Sequence, residues 1–220
     1  TVGYSGPIGS GRVASGRVGS GPSWVELCRF CDHARMTISA AGYETLDPDQ
    51  GGAAAAANAR WWTQASAEYL AEHGADLGDA DLVWGPERLR EADARLLGDP
   101  DDLRGAPGRP GARVLEVGAG AAQGSRWLVS QGVDATATDV SPGMLRRAAE
   151  LDAATGISVP TVLADARDLP FADASFDVVF TAYGAIPFVP DAHRVHAEGA
   201  RVLRPGGRWV CAVTHPIRWA

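Results

Sequence analysis

The sequence Glu116-Val-Gly118-Ala-Gly120 sets an acid and two glycines at the end of an apolar run that begins at Arg113. Glycines at such a break let backbone N–H groups approach a ligand, and a helix just beyond adds a partial positive charge. A helical pattern resumes at Ser125, so Arg113–Leu128 reads as strand, glycine turn and helix, a nucleotide-cradling element. Asp139 lies 21 residues beyond Gly118 and ends the run Ala135-Thr-Ala-Thr-Asp139. A carboxylate at that offset accepts hydrogen bonds from both hydroxyls of a ribose diol. Asp165 ends Thr161-Val-Leu-Ala-Asp165 and has the chemistry to accept from an exocyclic adenine amine. Thr181–Ala185 follows a fourth apolar run, Phe176-Asp-Val-Val-Phe180. Each acid taken alone reads equally well as a solvated loop acid or a helix cap. Two acids closing successive runs after a glycine turn favour the ligand reading.

Other chemistry-bearing residues are less well supported. His215, in the tail Val213-Thr-His215-Pro-Ile-Arg218-Trp219, could serve as a general base for a hydroxyl or amine acceptor. A loop histidine satisfied by backbone is the plainer reading, and surface charge is the plainer reading of Arg218. Cys28-Arg-Phe-Cys31-Asp-His33 offers metal-binding side chains, but three ligands crowd six residues and no second pair completes a tetrahedral site. His193 and His196 read as solvated, Cys211 reads as packing in a core strand, and no cluster has metal-ligand spacing.

The elements that must position these groups follow from periodicity. Strands are expected over 113–117, 135–139, 160–164, 176–181 and 208–214, with helices near 124–131, 142–154 and 191–203. Ser141-Pro142 marks a helix start, and Arg204-Pro-Gly-Gly207 ends a helix and turns into the last strand. Apolar strands alternating with helices imply an α/β fold, a doubly wound Rossmann-like parallel sheet of order 3-2-1-4-5. Ligands then bind at the carboxyl ends of the strands.

Upstream, 53–72 reads as an Ala-rich helix carrying Trp61, Trp62, Ala65, Tyr69 and Leu70 at helical spacing. The plain reading is a packing stripe; the functional one is a lid over a cofactor pocket bearing Trp62 and Tyr69. Residues 76–84 read as a loop. Pro86–Leu97 reads as a helix with Leu89, Ala92 and Leu96 on one face, and Gly98–Ala112 as a Pro/Gly/Asp linker. Residues 1–35 read as a disordered unit of upstream, non-native sequence ahead of a natural start at Met36; 36–112 read as an N-terminal helical cap with its linker, and 113–220 as the core.

A net charge of −7 argues against nucleic-acid or anionic-membrane partners, and no run of about 18 apolar residues spans a bilayer. Three cysteines make no disulfide framework, which suits a reducing cytoplasm.

The segment from about 113 to 214 resembles the class I S-adenosylmethionine-dependent methyltransferases. The match runs through VLEVGAGAAQ, TATDVSPGMLRRA, LADARDLPFADASFDVVFTAYGAIPFV and VLRPGGRW. The resemblance implies S-adenosyl-L-methionine as cofactor, with Glu116, Gly118, Ala119, Gly120 and Gln123 around its methionine part. It implies ribose contacts from Asp139 with Val140, and adenine contacts from Asp165 with Ala166. Ala182 and Tyr183 would face the methyl group and a small-molecule acceptor, making Tyr183 and His215 the catalytic candidates. Ala122 stands where the family often has a third glycine; one methyl group on helical dihedrals implies a small effect. The family's sheet has two strands beyond the one at 208–214, so the chain looks truncated, with its last strand as an exposed, aggregation-prone edge and reduced activity.

Two alternatives remain beside the methyltransferase reading. A nicotinamide-dependent oxidoreductase needs a small residue where this chain has Gln123, and Glu116 sits badly beside a diphosphate. A non-catalytic S-adenosylmethionine-binding module shares every motif, because alignment alone supplies much of the acceleration of methyl transfer. The motifs do not identify the acceptor or the oligomeric state.

Overall fold

Five short apolar runs, each closed by a glycine, a proline or an acid, become the five strands of one sheet. The structure is a computed structural model and describes residues 51–213. The strands are β1 (Arg113–Val117), β2 (Asp134–Asp139), β3 (Thr161–Leu163), β4 (Phe176–Ala182) and β5 (Leu203–Ala212). All pairings are parallel and the order is β3-β2-β1-β4-β5, the order expected from the sequence. β1 is central because four of its five residues are buried, Glu116 among them. Leu115, Val117, Phe176, Val179 and Val202 fill one face, and Val114, Leu128, Phe180 and Leu97 the other. Burial on both faces is what makes these runs continuously apolar rather than alternating.

β5 begins five residues earlier than expected. Phe176 pairs with Leu203, but Val178 pairs with Arg208, so Arg204-Pro-Gly-Gly207 is extruded as a bulge between them. Cys211, expected in the core, is exposed on β5. Among the described residues β5 pairs on one side, with β4; Arg208 and Cys211 on it are exposed, and Trp209 and Val210 are half-buried.

The helices are α1 (Gly51–Leu77), α2 (Glu91–Ala94), α3 (Pro100–Arg104), α4 (Gln123–Ser130), α5 (Pro142–Thr155) and α6 (Ala192–Val202). Ser141 caps α5 as expected, its hydroxyl accepting from the N–H of Met144 at 3.1 Å while Pro142 opens the first turn. α1 extends past the expected 53–72 at both ends.

Two expectations fail between α1 and β1. Pro86–Leu97 is not one helix. Arg88 adopts φ 57, Val83 and Arg90 form an antiparallel bridge, and only Glu91–Ala94 is helical. Leu89 and Leu96, expected together on one helix face, are both exposed. The cause is Glu91, buried at 1% exposure. Its carboxylate accepts from Trp84 Nε1 at 2.8 Å and from the N–H groups of Leu96 and Leu97 at 3.0 and 2.7 Å. Satisfying three donors holds the chain in a tight turn that a continuous helix would break. Gly98–Ala112 is likewise more than a linker. Asp99 caps α3, Ala106 and Arg109 close a small hairpin, and Leu103 joins Leu82, Trp84 and Leu97 in the core against β1, α4 and β4.

Candidate functional site

β1 and β2 end side by side, and the turn after β1 folds back onto β2. Ala119 donates its N–H to the carbonyl of Thr138 at 2.9 Å, and Gly120 donates its N–H to Asp139 Oδ2 at 2.8 Å. Asp139 Oδ1 accepts from the N–H of Ser141 at 2.8 Å. The Val140 N–H bears on the same carboxylate, so three backbone donors hold it in place at the end of β2. Burial pushes the Asp139 carboxyl up to about 6, against the pull of the Ser141 and Gly120 N–H groups.

Gly120 has φ +56, and a Cβ built on it meets open space. The turn thus leaves room beside Asp139 that a side chain would fill, as a ligand cradle requires. Gly118 differs: a Cβ there would lie 2.6 Å from the backbone nitrogen of Ala185, so the loop after β4 presses directly on the turn. That contact brings Ala182 and Tyr183, at the end of β4, beside the glycine turn. Tyr183 has φ 60 and its ring lies against Gly85.

Ala122 departs from the sequence expectation. It adopts φ 58 and ψ 32, the left-handed region, just before α4. The backbone keeps the glycine-type conformation, and alanine bears a strain of about 1–2 kcal/mol there. Its methyl is fully buried among Ala137, Ala148 and Val159, which offsets part of that strain.

Glu116 lies beneath the turn. It is 5% exposed, and its Oε2 accepts from both the N–H and the hydroxyl of Ser125 at 2.7 Å. Burial pushes its carboxyl up to about 7, with the Ser125 bonds and Arg126 opposing. Gln123 is buried as the first residue of α4.

At β3, Asp165 is half-buried and Ala164 donates to the Asp139 carbonyl at 3.0 Å, so the two acids mark adjacent strand ends. Burial raises the Asp165 carboxyl, but hydrogen bonds from Arg167 outweigh it and hold the group below its usual range. Ala166 packs against the core cluster that holds Leu115, Val117 and Leu169, and Val140 is half-buried next to Asp139.

α1 crosses these strand ends. Thr63 Oγ1 lies 3.1 Å from Ser141 Oγ and accepts from the N–H of Gly143 at 3.2 Å. Further along the sheet, Asn58 Nδ2 donates to the carbonyl of Phe188, in a single 3₁₀ turn over Ile186–Phe188. Trp62 meets Phe188 edge-on at 5.3 Å and Tyr69 at 5.4 Å, and burial raises the Tyr69 phenol. Trp62 and Tyr69 therefore belong to a helix that bridges the β2 and β4 loops.

Sequence reasoning missed Arg126, which is fully buried. It donates to the carbonyls of Ala121 at 3.1 Å, Asp79 at 3.1 Å and Ala148 at 2.9 Å, and to Asp152 Oδ1 at 2.7 Å. It ties the glycine turn to α5 and to the chain leaving α1. Arginine in an amphipathic helix reads as a surface residue, so no signal marked it. Arg167 and Asp191 were also missed, although an arginine two residues after a site acid is a visible hint.

Among the described residues no three metal-ligating side chains cluster, and no helix is long and apolar enough to cross a membrane. An open cleft of about 490 Å³ lies at the opposite, amino ends of β1 and β2, and none of the candidate site residues lines it. His215, Arg218 and the Cys28-Cys31-His33 group lie outside the described residues.

Residues 115–211 match the family model described as a methyltransferase domain. A demethylmenaquinone methyltransferase of Beutenbergia cavernae is 37% identical over 150 residues, covering 66% of this chain and 55% of that protein. An uncharacterised protein of Mycobacterium bovis is 38% identical over 107 residues, 46% of this chain and 39% of that one. The chain thus spans roughly 40–55% of the length of these relatives. The solved [4+2]-cyclase SpnF shares the fold at a TM-score of 0.55 and 23% identity, over 71% of this chain and 59% of that one. Over residues 115–211 the chain carries a methyltransferase domain, similar to those of the class I S-adenosylmethionine-dependent methyltransferases.

Proposed function

We propose that the protein transfers a methyl group from S-adenosyl-L-methionine to a small-molecule acceptor, within a reducing cytoplasm. The observation that carries this reading is the joined arrangement of Gly120 and Asp139, with open space beside Gly120 and Asp165 at the next strand end. A ribose diol fits the Asp139 carboxylate beside the open space at Gly120, and an adenine amine fits the exposed edge of Asp165. Glu116, held by Ser125 under α4, acts by fixing the turn that faces the methionine part. Gln123, at the mouth of α4, leaves no room for the pyrophosphate of a dinucleotide, which disfavours the oxidoreductase alternative.

When bound, S-adenosylmethionine supplies an electrophilic methyl group on a sulfonium. The protein's part is alignment and exclusion of water. Gly118, Ala182 and Tyr183 lie where the acceptor would approach, and Trp62, Tyr69 and Phe188 put aromatic surface on the bridge above them. Holding acceptor, methyl carbon and sulfur in line contributes much of the acceleration without a dedicated base. Aromatic surface and the names of the curated relatives support demethylmenaquinone as the first acceptor to try.

Incubation with methyl-labelled S-adenosylmethionine and a panel of metabolites, demethylmenaquinone included, tests the proposal. Label appearing in an acceptor supports it. Cofactor binding with no transfer across the panel favours the binding-module alternative.

A further inference from the structure

Asp191 occupies the N-cap position of α6 and caps nothing: its side chain accepts no N–H from the first turn. It is buried at 4% exposure and turns instead to Arg167, whose Nη1 donates to its Oδ1 at 3.0 Å. Arg167 is equally buried and grips Asp165 in a fork, Nε to Oδ1 at 3.0 Å and Nη2 to Oδ2 at 2.7 Å. Among the described residues Asp191 Oδ2 has no hydrogen-bond partner, and the Arg194 guanidinium approaches it at 3.6 Å. An acid at a helix start ordinarily serves the helix. Here that role is given up for a buried ion network, an arrangement that costs desolvation and is attested chiefly as a device for fixing geometry.

The network joins two parts of the site. Asp165 is its more exposed end, at the adenine side. Asp191 follows the Ile186–Phe188 turn, which holds α1 through Asn58 and Trp62. We infer that Arg167 is a positioning residue that couples a purine amine on Asp165 to the docking of α1 over the acceptor side. An amine donating to the free edge of Asp165 fixes the plane of its carboxylate. The fork is planar and bidentate, so that plane sets Arg167, then Asp191 and the start of α6. This inference rests on the proposed adenine role of Asp165.

Hydrogen exchange on the full chain tests it, with S-adenosylhomocysteine and S-inosylhomocysteine, which lacks the amine, as probes. In the wild type, saturating S-adenosylhomocysteine should slow exchange over 58–69 and 186–191 by roughly tenfold, and S-inosylhomocysteine should not. Asp191→Asn, close to isosteric, should still bind S-adenosylhomocysteine within about threefold but lose that protection. Arg167→Lys, which keeps the charge without the fork, should lose the protection at saturation too, and serves if Asp191→Asn does not fold. Protection in either folded variant equal to wild type overturns the coupling, as does wild-type binding that leaves both segments unprotected. A wild type that binds neither probe overturns the adenosyl-site reading itself.

Discussion

Gly120 donates its backbone N–H to Asp139 Oδ2 at 2.8 Å, so the turn after β1 and the acid after β2 form one unit. The bond explains why a buried carboxylate is tolerated there. It also makes the unit sensitive to protonation, since only the ionised group keeps every lone pair available.

Burial holds Asp139 at about 6 and Glu116 at about 7, above their ordinary 3.8 and 4.5. An acid whose folded value is raised binds more protons when folded. Its contribution to stability is therefore present below the ordinary value and lost as pH rises through the folded one. Stability of the ligand-free protein should fall between about pH 4 and 7 on account of these two groups, whereas affinity for S-adenosylhomocysteine should rise over the upper part of that range. Melting and calorimetric titrations at several pH values check both signs. Asp139→Asn should flatten the part of the affinity profile centred near 6.

Glu91→Gln tests the buried carboxylate that folds residues 82–97. Three donors point at the carboxylate, and an amide NH₂ must face at least one of them. The clash should cost about 1–3 kcal/mol, read as a lower denaturation midpoint. Trp84 Nε1 is one of the donors, so indole fluorescence should shift as well.

Gly143→Ala tests the seat of α1. An added Cβ would lie 2.5 Å from Thr63 Cα, a backbone atom that moves only with its helix. Overpacking costs about 1–3 kcal/mol and outweighs the gain in helix propensity, about 1 kcal/mol at most. Stability should fall slightly, and limited proteolysis within 58–70 should quicken more than elsewhere.

The core of the fold was legible because its signals are local. β1, α5 and the strand order follow from apolar runs, from Ser141-Pro142 and from the chirality of crossovers. The glycine turn, Asp139 and Asp165 were legible for the same reason: each ends a strand. What escaped the sequence depends on contacts that helical or strand periodicity does not encode. Glu91 is buried by the turn that brings Trp84 and Leu97 onto its carboxylate, and Arg126 by the carbonyls of Asp79, Ala121 and Ala148, and no periodic pattern marks either residue. Ala122 misled because alanine favours helices, yet the turn dictated φ 58. Cys211 misled because an apolar neighbourhood in sequence does not place a residue on the inner side of a strand.

Calorimetry with S-adenosylhomocysteine on the wild type and on Asp139→Ala bears most directly on the adenosyl site. Removing the carboxylate deletes the acceptor for both ribose hydroxyls and the partner of the Gly120 and Ser141 N–H groups. The expected loss is about 1.5–3 kcal/mol, roughly ten- to a hundredfold in affinity, with the variant still folded. Equal affinity in wild type and variant, or a wild type that does not bind, would contradict an adenosyl group held between Gly120 and Asp139.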